Sequence, residues 1–413
     1  MTRIELLLLA VGCALWTGCP VALDDRAAPG GAGGAAGAAV GGAGGGGVGG
    51  AGGAGASAGG AGGGAAGADA GGAAPCLDPS EYLAVLALDE PGLCVVGRYT
   101  APFEVSYALS PTWGRHGGPL VVRPGGAPGA AELVRLDVPA TQTGALVPLA
   151  TEIPLDIVAS GSVYLGAVAV DLPFGDWTLL SWTGDFGTSD GEVLMVSGTS
   201  VATRFAVQGF FDGVGLGAPS GGRLLYTGLG ALAATPAPAS PAVYAADFCA
   251  PLDLCAALPV ATFGEANGPV AADEHGHVFA VETRFSSGDF TVRGFAASTV
   301  GVGAPPTDGV DLLTMPGFGS ELAAMGEGAG APGLVLFQPF DPVSYTALDV
   351  VGVRYITSGA LVGTVGPAHD AIVLTTPGTS VSLMSDTVGR LWLGAVTAPG
   401  ETTFFVVARD TGG

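Results

Sequence analysis

Short apolar runs with a period of two dominate the chain from about residue 92 to the C-terminus. Examples are residues 119–122, 193–196 and 403–407, and the runs are separated by stretches that contain Gly, Pro, Asp and Ser. This period places successive side chains on opposite faces of a strand, and the separating residues are typical of turns. The pattern therefore predicts an all-β domain over residues 92–413.

The residues just before this domain have a different pattern. Asp78-Pro79-Ser80-Glu81 is typical of a helix start, because Asp can cap the first turn and Pro is favoured at the first helical position. We predict a short helical cap segment over residues 76–91, with its helix ending near Leu88.

A glycine followed three or four positions later by an aromatic residue recurs through the predicted strands. The aromatic positions are separated by 62, 53, 58 and 55 residues, and they are Tyr164, Tyr226, Phe279, Phe337 and Trp392. In residues 273–279 and 386–392 the element is longer, with Asp three positions before the Gly, a combination that favours a tight hairpin turn. Repetition at this interval predicts one structural unit for each copy.

The Asp-x-x-Gly-x-apolar-aromatic element resembles the turn between strands in β-propeller blades, and residues 383–394 resemble the propeller repeats of bacterial sensor proteins. The resemblance implies a single β-propeller of about six blades. The last copy has room for three strands, at about residues 379–385, 389–396 and 401–408. Residues 92–96 would supply the fourth strand and close the ring. Two β-sandwich domains are the alternative, because their strands have a similar spacing.

Residues 30–74 form a tract of 45 residues in which 41 are Gly or Ala. Such a tract has no large apolar side chains whose burial could offset the entropy cost of ordering the backbone. We therefore predict a disordered linker over residues 20–75, with a root-mean-square reach of roughly 40 Å. Ordered packing of the tract is the alternative, but the tract lacks Pro and a three-residue period.

Residues 1–19 have the pattern of an export signal. Arg3 precedes an apolar run over residues 6–16, which is too short to span a bilayer. The segment Leu15-Trp16-Thr17-Gly18-Cys19 resembles the lipobox of bacterial lipoproteins, whose cysteine is acylated after cleavage. The resemblance implies lipidation of Cys19 and an exported, outer-membrane lipoprotein that faces the periplasm or the cell surface. Simple cleaved secretion and an uncleaved anchor are the alternatives, and Cys13 is a second candidate for lipidation.

Cleavage before Cys19 would leave four other cysteines, namely Cys76, Cys94, Cys249 and Cys255. An even number is typical of proteins from a disulfide-forming compartment. Pairing by proximity in the sequence joins Cys76 to Cys94 and Cys249 to Cys255. Four buried thiols or a zinc site are the alternatives.

Charge and composition exclude several function classes. The formal net charge is −23, and all 13 basic residues are Arg. The absence of Lys excludes Schiff-base chemistry and a phosphate-binding P-loop lysine. Nucleic-acid binding is not expected, because it needs a basic stripe on the surface. The hydrophobic content of 48% is sufficient for a sizeable core.

Two short segments resemble or could form known catalytic or metal sites. Gly198-Thr199-Ser200 resembles the segment around the nucleophilic serine of subtilisin-like proteases. That family also needs an upstream Asp motif, which is missing, and the residues after Ser200 have a strand pattern instead of a helical one. His275 and His277 could lie on one face of a strand and bind a metal together with Asp273 and Glu282.

For each of these segments, an ordinary turn without catalytic or metal-binding function is favoured. Ser200 is expected in a turn between strands, and Gly276 between the two histidines favours a solvated hairpin tip. His369 and Asp370 form an isolated loop pair without a detectable partner. No catalytic residue, metal site or cofactor is therefore predicted.

These observations favour a surface-tethered, non-enzymatic binding or scaffold lipoprotein of the bacterial cell envelope. Its expected partners are the membrane, through the N-terminal lipid, and an unknown protein or glycan ligand, and the expected state is a monomer. The alternative is a secreted hydrolase or lyase whose site is built from loops of several blades.

Overall fold

The computed structural model is all-β, as predicted, and its described residues contain no α-helix. It describes residues 75–101, 266–284, 286–300, 308–328, 330–341, 343–344, 346–385 and 389–410, together with the strands between residues 112 and 262 named below. None of these residues belongs to a helix that is long and apolar enough to cross a membrane.

The strands have the following bounds. The first nine are β1 (Leu86–Leu88), β2 (Leu93–Ala101), β3 (Thr112–Trp113), β4 (Pro119–Pro124), β5 (Ala131–Asp137), β6 (Thr143–Ala145), β7 (Val147–Leu155), β8 (Leu165–Leu172) and β9 (Gly175–Thr183). The next nine are β10 (Asp190–Ser197), β11 (Ser200–Gln208), β12 (Arg223–Gly228), β13 (Ala242–Ala250), β14 (Asp253–Leu254), β15 (Leu258–Thr262), β16 (Ala266–Ala272), β17 (Val278–Arg284) and β18 (Asp289–Phe295). The last nine are β19 (Val310–Pro316), β20 (Phe318–Met325), β21 (Gly333–Phe340), β22 (Val350–Ser358), β23 (Leu361–Thr364), β24 (His369–Leu374), β25 (Val381–Ser385), β26 (Leu391–Ala398) and β27 (Glu401–Arg409).

These strands form six open sheets whose members mostly follow one another along the chain. The first sheet has the order β3-β4-β5-β7, the second β8-β9-β10-β11, and the third contains β12 and β13 with β14 and β15 paired to β13. The fourth has the order β16-β17-β18-β19, the fifth β20-β21-β22-β24-β1 with β23 on β22, and the sixth β25-β26-β27-β2-β6. Pairing is antiparallel except between β2 and β6.

The sixth sheet joins the two ends of the domain. Its strands β25, β26 and β27 lie within a few residues of their predicted positions. β2 is antiparallel to β27, with Leu93 opposite Arg409 and Ala101 opposite Thr402. The prediction that the fourth strand of the last copy comes from the start of the domain is therefore confirmed, although this strand begins at Leu93 and extends to Ala101.

The cap segment contains far less helix than we predicted. Asp78 does act as the cap, since its carboxylate accepts a hydrogen bond from the Ser80 amide at 2.9 Å. The helix is only a 3-10 turn over Pro79–Glu81, and residues 86–88 form β1. The predicted helix to Leu88 is wrong because β24 offers an edge with which these residues pair. This pairing buries Leu86 completely, and tertiary packing outweighs a weak local preference.

A disulfide joins Cys76 to Cys94, as predicted, and closes a loop with a sequence separation of 18. Inside this loop, the Leu77 amide donates a hydrogen bond to the Val95 carbonyl at 2.7 Å. The side chains of Cys249 and Cys255 lie outside the described residues, so their pairing stays a prediction.

Strands in the middle of the sheets are buried on both faces. Six consecutive residues of β17, from Val278 to Thr283, are buried, and so are six of β27, from Thr402 to Val407. A sheet with one solvated face would show alternating exposure. These strands therefore have packed layers on both sides.

Three of the five repeat aromatics lie on the second strand of their sheets and are at most 1% exposed, namely Phe279, Phe337 and Trp392. The repeat element therefore marks equivalent strands in three successive sheets. Tyr226 lies on β12, the first strand of its sheet, and Tyr164 lies outside the described residues.

Candidate functional site at the turn between β16 and β17

The turn between β16 and β17 is organised by the carboxylate of Asp273. Its Oδ1 accepts hydrogen bonds from the amides of His275 at 2.9 Å and His277 at 2.8 Å. Gly276 closes the turn with a φ of 83°, a conformation that side chains with a Cβ rarely adopt. The predicted Asp-x-x-Gly hairpin turn is therefore confirmed at this position.

Tyr355 of β22 brings a second sheet to this turn. Its hydroxyl donates a hydrogen bond to Asp273 Oδ2, and a weaker one at 3.3 Å to the Met325 carbonyl. The ring is fully buried and lies 4.7 Å from the ring of Phe279. Burial raises the pKa of the Tyr355 hydroxyl, and the Asp273 carboxylate raises it further, so this group stays a protonated donor.

The glycine-rich loop segment over residues 326–328, which follows β20, packs against the same turn. The Gly326 amide donates to Glu274 Oε2 at 2.8 Å, and His275 Nε2 lies 3.0 Å from the Glu327 carbonyl, to which it donates. Arg409, the last residue of β27, donates from Nη2 to the carbonyls of Gly326 at 2.7 Å and Pro332 at 2.5 Å. Residues from the fourth, fifth and sixth sheets therefore meet at this site.

Glu327 connects this loop to the end of β22. Its carboxylate accepts hydrogen bonds from the Thr357 amide at 2.9 Å and the Thr357 hydroxyl at 2.6 Å. The hydroxyl is the main reason that the pKa of Glu327 lies below its ordinary value of 4.5. A lowered pKa means that the charged carboxylate stabilises the fold.

We expect Thr357→Val to lower the stability in a pH-dependent way. The folded pKa of Glu327 is lowered, so its contribution is complete above the unfolded value near 4.5 and is lost as the pH falls through the folded pKa. The difference in free energy of unfolding between the wild type and the variant should thus be constant above about pH 6 and shrink toward about pH 3. Urea titrations at several pH values measure this difference. Thr364→Val on the exposed side of β23 is the control, and an equal pH dependence in both variants would contradict the assignment.

The structure does not assemble the metal site that the two histidines suggested. The Asp273 carboxylate already accepts a hydrogen bond from the turn, and His277 Nδ1 accepts one from the Ala297 amide at 3.0 Å. Glu282 forms ion pairs with Arg284 at 3.1 Å and Arg293 at 3.0 Å. Among the described residues, no group of three or more His, Cys, Asp or Glu side chains could hold a metal ion.

The favoured alternative, a solvated hairpin tip, is also wrong in part. His275 is exposed, but Asp273 is 5% exposed and His277 is only partly accessible. The turn is packed because Tyr355 and the loop segment over residues 326–328 contact it. Sequence reasoning missed both contacts, since neither segment carries a signal that identifies the turn as its partner.

His369 was predicted to lack a partner, and this prediction is wrong. It begins β24, and its Nε2 contacts the carboxylate of Glu90, from which it is separated by 279 positions in the sequence. Arg354 donates from Nε to the same carboxylate at 2.8 Å. Asp370 stays exposed, as expected for a surface residue. The segment after Ser200 has the predicted strand structure, because it belongs to β11, which pairs with β10. Ser200 was expected in a turn, but it is the first residue of β11 and lies opposite Ser197.

Comparisons with known proteins identify no family. No protein-family model matches the chain, and no curated protein sequence matches it.

Three solved structures to which the chain is similar align with it at low TM-scores. An Aleuria aurantia lectin in complex with Fucα1-6GlcNAc aligns at a TM-score of 0.37 and 9% identity, over 77% of this chain and 96% of the lectin. Prolyl oligopeptidase B from Galerina marginata aligns at 0.34 and 11% identity, over 75% of this chain, which spans 39% of the peptidase. A neuraminidase-like protein of A/flat-faced bat/Peru aligns at 0.29 and 10% identity, over 70% and 89% of the two chains. No function is transferred at these scores.

Proposed function

We propose that the protein is a surface-tethered, non-enzymatic binding or scaffold lipoprotein of the bacterial cell envelope. The observation that supports this proposal is the way in which polar side chains bind the backbone of neighbouring turns and loops. At the site where three sheets meet, Asp273, Glu274, Glu327 and Arg409 bind backbone groups of the turns and loops around them. Side chains used in this way fix the positions of loops, which suits a rigid binding surface.

The domain that we propose is a β-propeller of about six blades. Its support is the chain of contacts between the first strands of the sheets: β12 contacts β16, β16 contacts β20, β20 contacts β25, β25 contacts β3, and β3 contacts β8. Such contacts are expected when the innermost strands of successive blades surround an axis. Two separate sandwiches would instead pair sheets face to face without a continuous series.

Binding assays on the full chain with glycan, ester and peptide panels test the function. We expect saturable binding of a glycan or peptide without turnover. Turnover that is lost in Glu321→Gln, on the first strand of the fifth sheet, but kept in the exposed control Asp370→Asn would contradict the proposal. That result would instead support the alternative of a secreted hydrolase or lyase.

Fatty-acid labelling tests the membrane anchor. The lipobox-like segment supports acylation of Cys19, so labelling should disappear in Cys19→Ala. Cys13→Ala is the matched control and should be labelled like the wild type. Equal labelling of the wild type and Cys19→Ala would refute the lipoprotein assignment, with no effect on the binding test.

A further inference from the structure

Residues 76–101 connect the linker to the domain and pair with two different sheets. β1 extends the edge of the fifth sheet at β24, and β2 lies between β27 and β6 in the sixth sheet. Any force that the linker transmits therefore enters the domain through this segment, which we call the clasp.

Inside the clasp, the loop between the two cysteines is attached to the fifth sheet by one short strand and a few polar contacts. β1 pairs through only three residues, and the Thr375 hydroxyl donates to the Ala84 carbonyl at 2.7 Å. Glu90, whose side chain is 9% exposed, contacts Arg354 and His369. β2, by contrast, is a strand of nine residues with partners on both sides.

The disulfide determines which of these contacts a force would reach first. Cys76 directly follows the linker predicted over residues 20–75, and its disulfide leads directly to Cys94 in β2. With the disulfide intact, the covalent path from the linker crosses to Cys94 and leaves residues 77–93 as a side loop. Without the disulfide, the same force would pass along residues 77–93 and strain β1 and Glu90 before β2.

We propose that the Cys76–Cys94 disulfide is a mechanical bypass that protects the contacts of β1 and Glu90 from force on the tether. A biological use for this bypass requires the tethering in the proposed function. Its physical basis requires only the disulfide and the strand pairing. Its consequence is that the edge of the fifth sheet stays covered while the linker is pulled.

Single-molecule pulling on the full-length chain tests the bypass. Handles are attached to a peptide tag introduced into the linker after Cys19 and to a tag in the exposed turn at residues 399–400, so that no cysteine thiol carries a handle and β2 and β27 are loaded from opposite ends. The chain with the intact disulfide should resist until β2 separates from β27. The variant with Cys76→Ser and Cys94→Ser should first extend at lower force by about 55 Å. This length is that of 18 extended residues minus the 5.5 Å between the two Cα atoms.

Glu90→Gln provides the matched comparison in the chain without the disulfide, where it should lower the force of the early step. Should the serine variant fail to fold, reduction of the folded chain by dithiothreitol replaces it, with Cys249→Ser and Cys255→Ser in both arms. A single step at the same force with and without the disulfide would overturn the proposal, and so would an early step in the intact chain. Neither outcome depends on acylation or ligand binding, so it is separable from a failure of the proposed function.

Discussion

Replacing Gly333 with alanine is expected to destabilise the protein by about 3 kcal/mol, the upper end of the usual cost of overpacking a core. A Cβ at Gly333 would lie 2.2 Å from Cζ of Tyr355 and 2.4 Å from its Cε1. The ring cannot move away easily, because it is fully buried and its hydroxyl is bonded to Asp273. Equilibrium unfolding in urea, followed by tryptophan fluorescence, measures the loss.

Gly363→Ala is the matched control for this prediction. Gly363 lies in β23 opposite Ile356 of β22, and a Cβ there would meet no atom within 4 Å. We expect its free energy of unfolding to stay within about 0.5 kcal/mol of the wild type. Similar losses of unfolding free energy in both variants would contradict the prediction, because they would show that a clash with the Tyr355 ring is not what destabilises Gly333→Ala.

The sixth sheet was predictable because local signals determine most of it. Its strands β25, β26 and β27 follow one another, and their apolar runs have the strand period. The last copy of the repeat has room for only three strands, so its fourth strand had to come from elsewhere in the chain. The start of the domain supplies it as β2. The burial of Phe279, Phe337 and Trp392 was predictable from their recurrence, because equivalent strands bury equivalent side chains.

The candidate site was predictable only within the turn itself. Asp273 and Gly276 belong to a local pattern with a known turn geometry. Tyr355 lies 82 positions away from Asp273, and Glu90 lies 279 positions away from His369. Such partners are chosen by how the sheets pack, and no spacing in the sequence encodes that choice.

In the cap segment, tertiary packing outweighs the local sequence signal. The Asp78 cap was identified correctly, but it stabilises only the 3-10 turn over Pro79–Glu81. Residues 86–88 gain more from pairing with β24, where Leu86 is buried, than from continuing a helix of a few residues. Short helices are marginal on their own, so an available sheet edge decides the outcome.

Asp273→Ala is expected to lower the free energy of unfolding by about 3 kcal/mol, because it removes the charged acceptor of three polar groups, one of which is a buried hydroxyl. These groups are the Tyr355 hydroxyl and the amides of His275 and His277. Asp341→Ala is the matched control, since Asp341 also accepts hydrogen bonds from two amides but has no buried tyrosine as a partner. Its loss of stability should be clearly smaller.

A double-mutant cycle with Tyr355→Phe separates the tyrosine contact from the turn contacts of Asp273. If the hydroxyl stabilises the site through the carboxylate, the loss in the double variant should be smaller than the sum of the two single losses by about 1–2 kcal/mol. Additive losses would mean that the two side chains act independently, and the turn would then be held by its own amides alone. A measurable coupling would instead make this contact the energetic link between the fourth and fifth sheets, because Asp273 follows β16 and Tyr355 lies in β22.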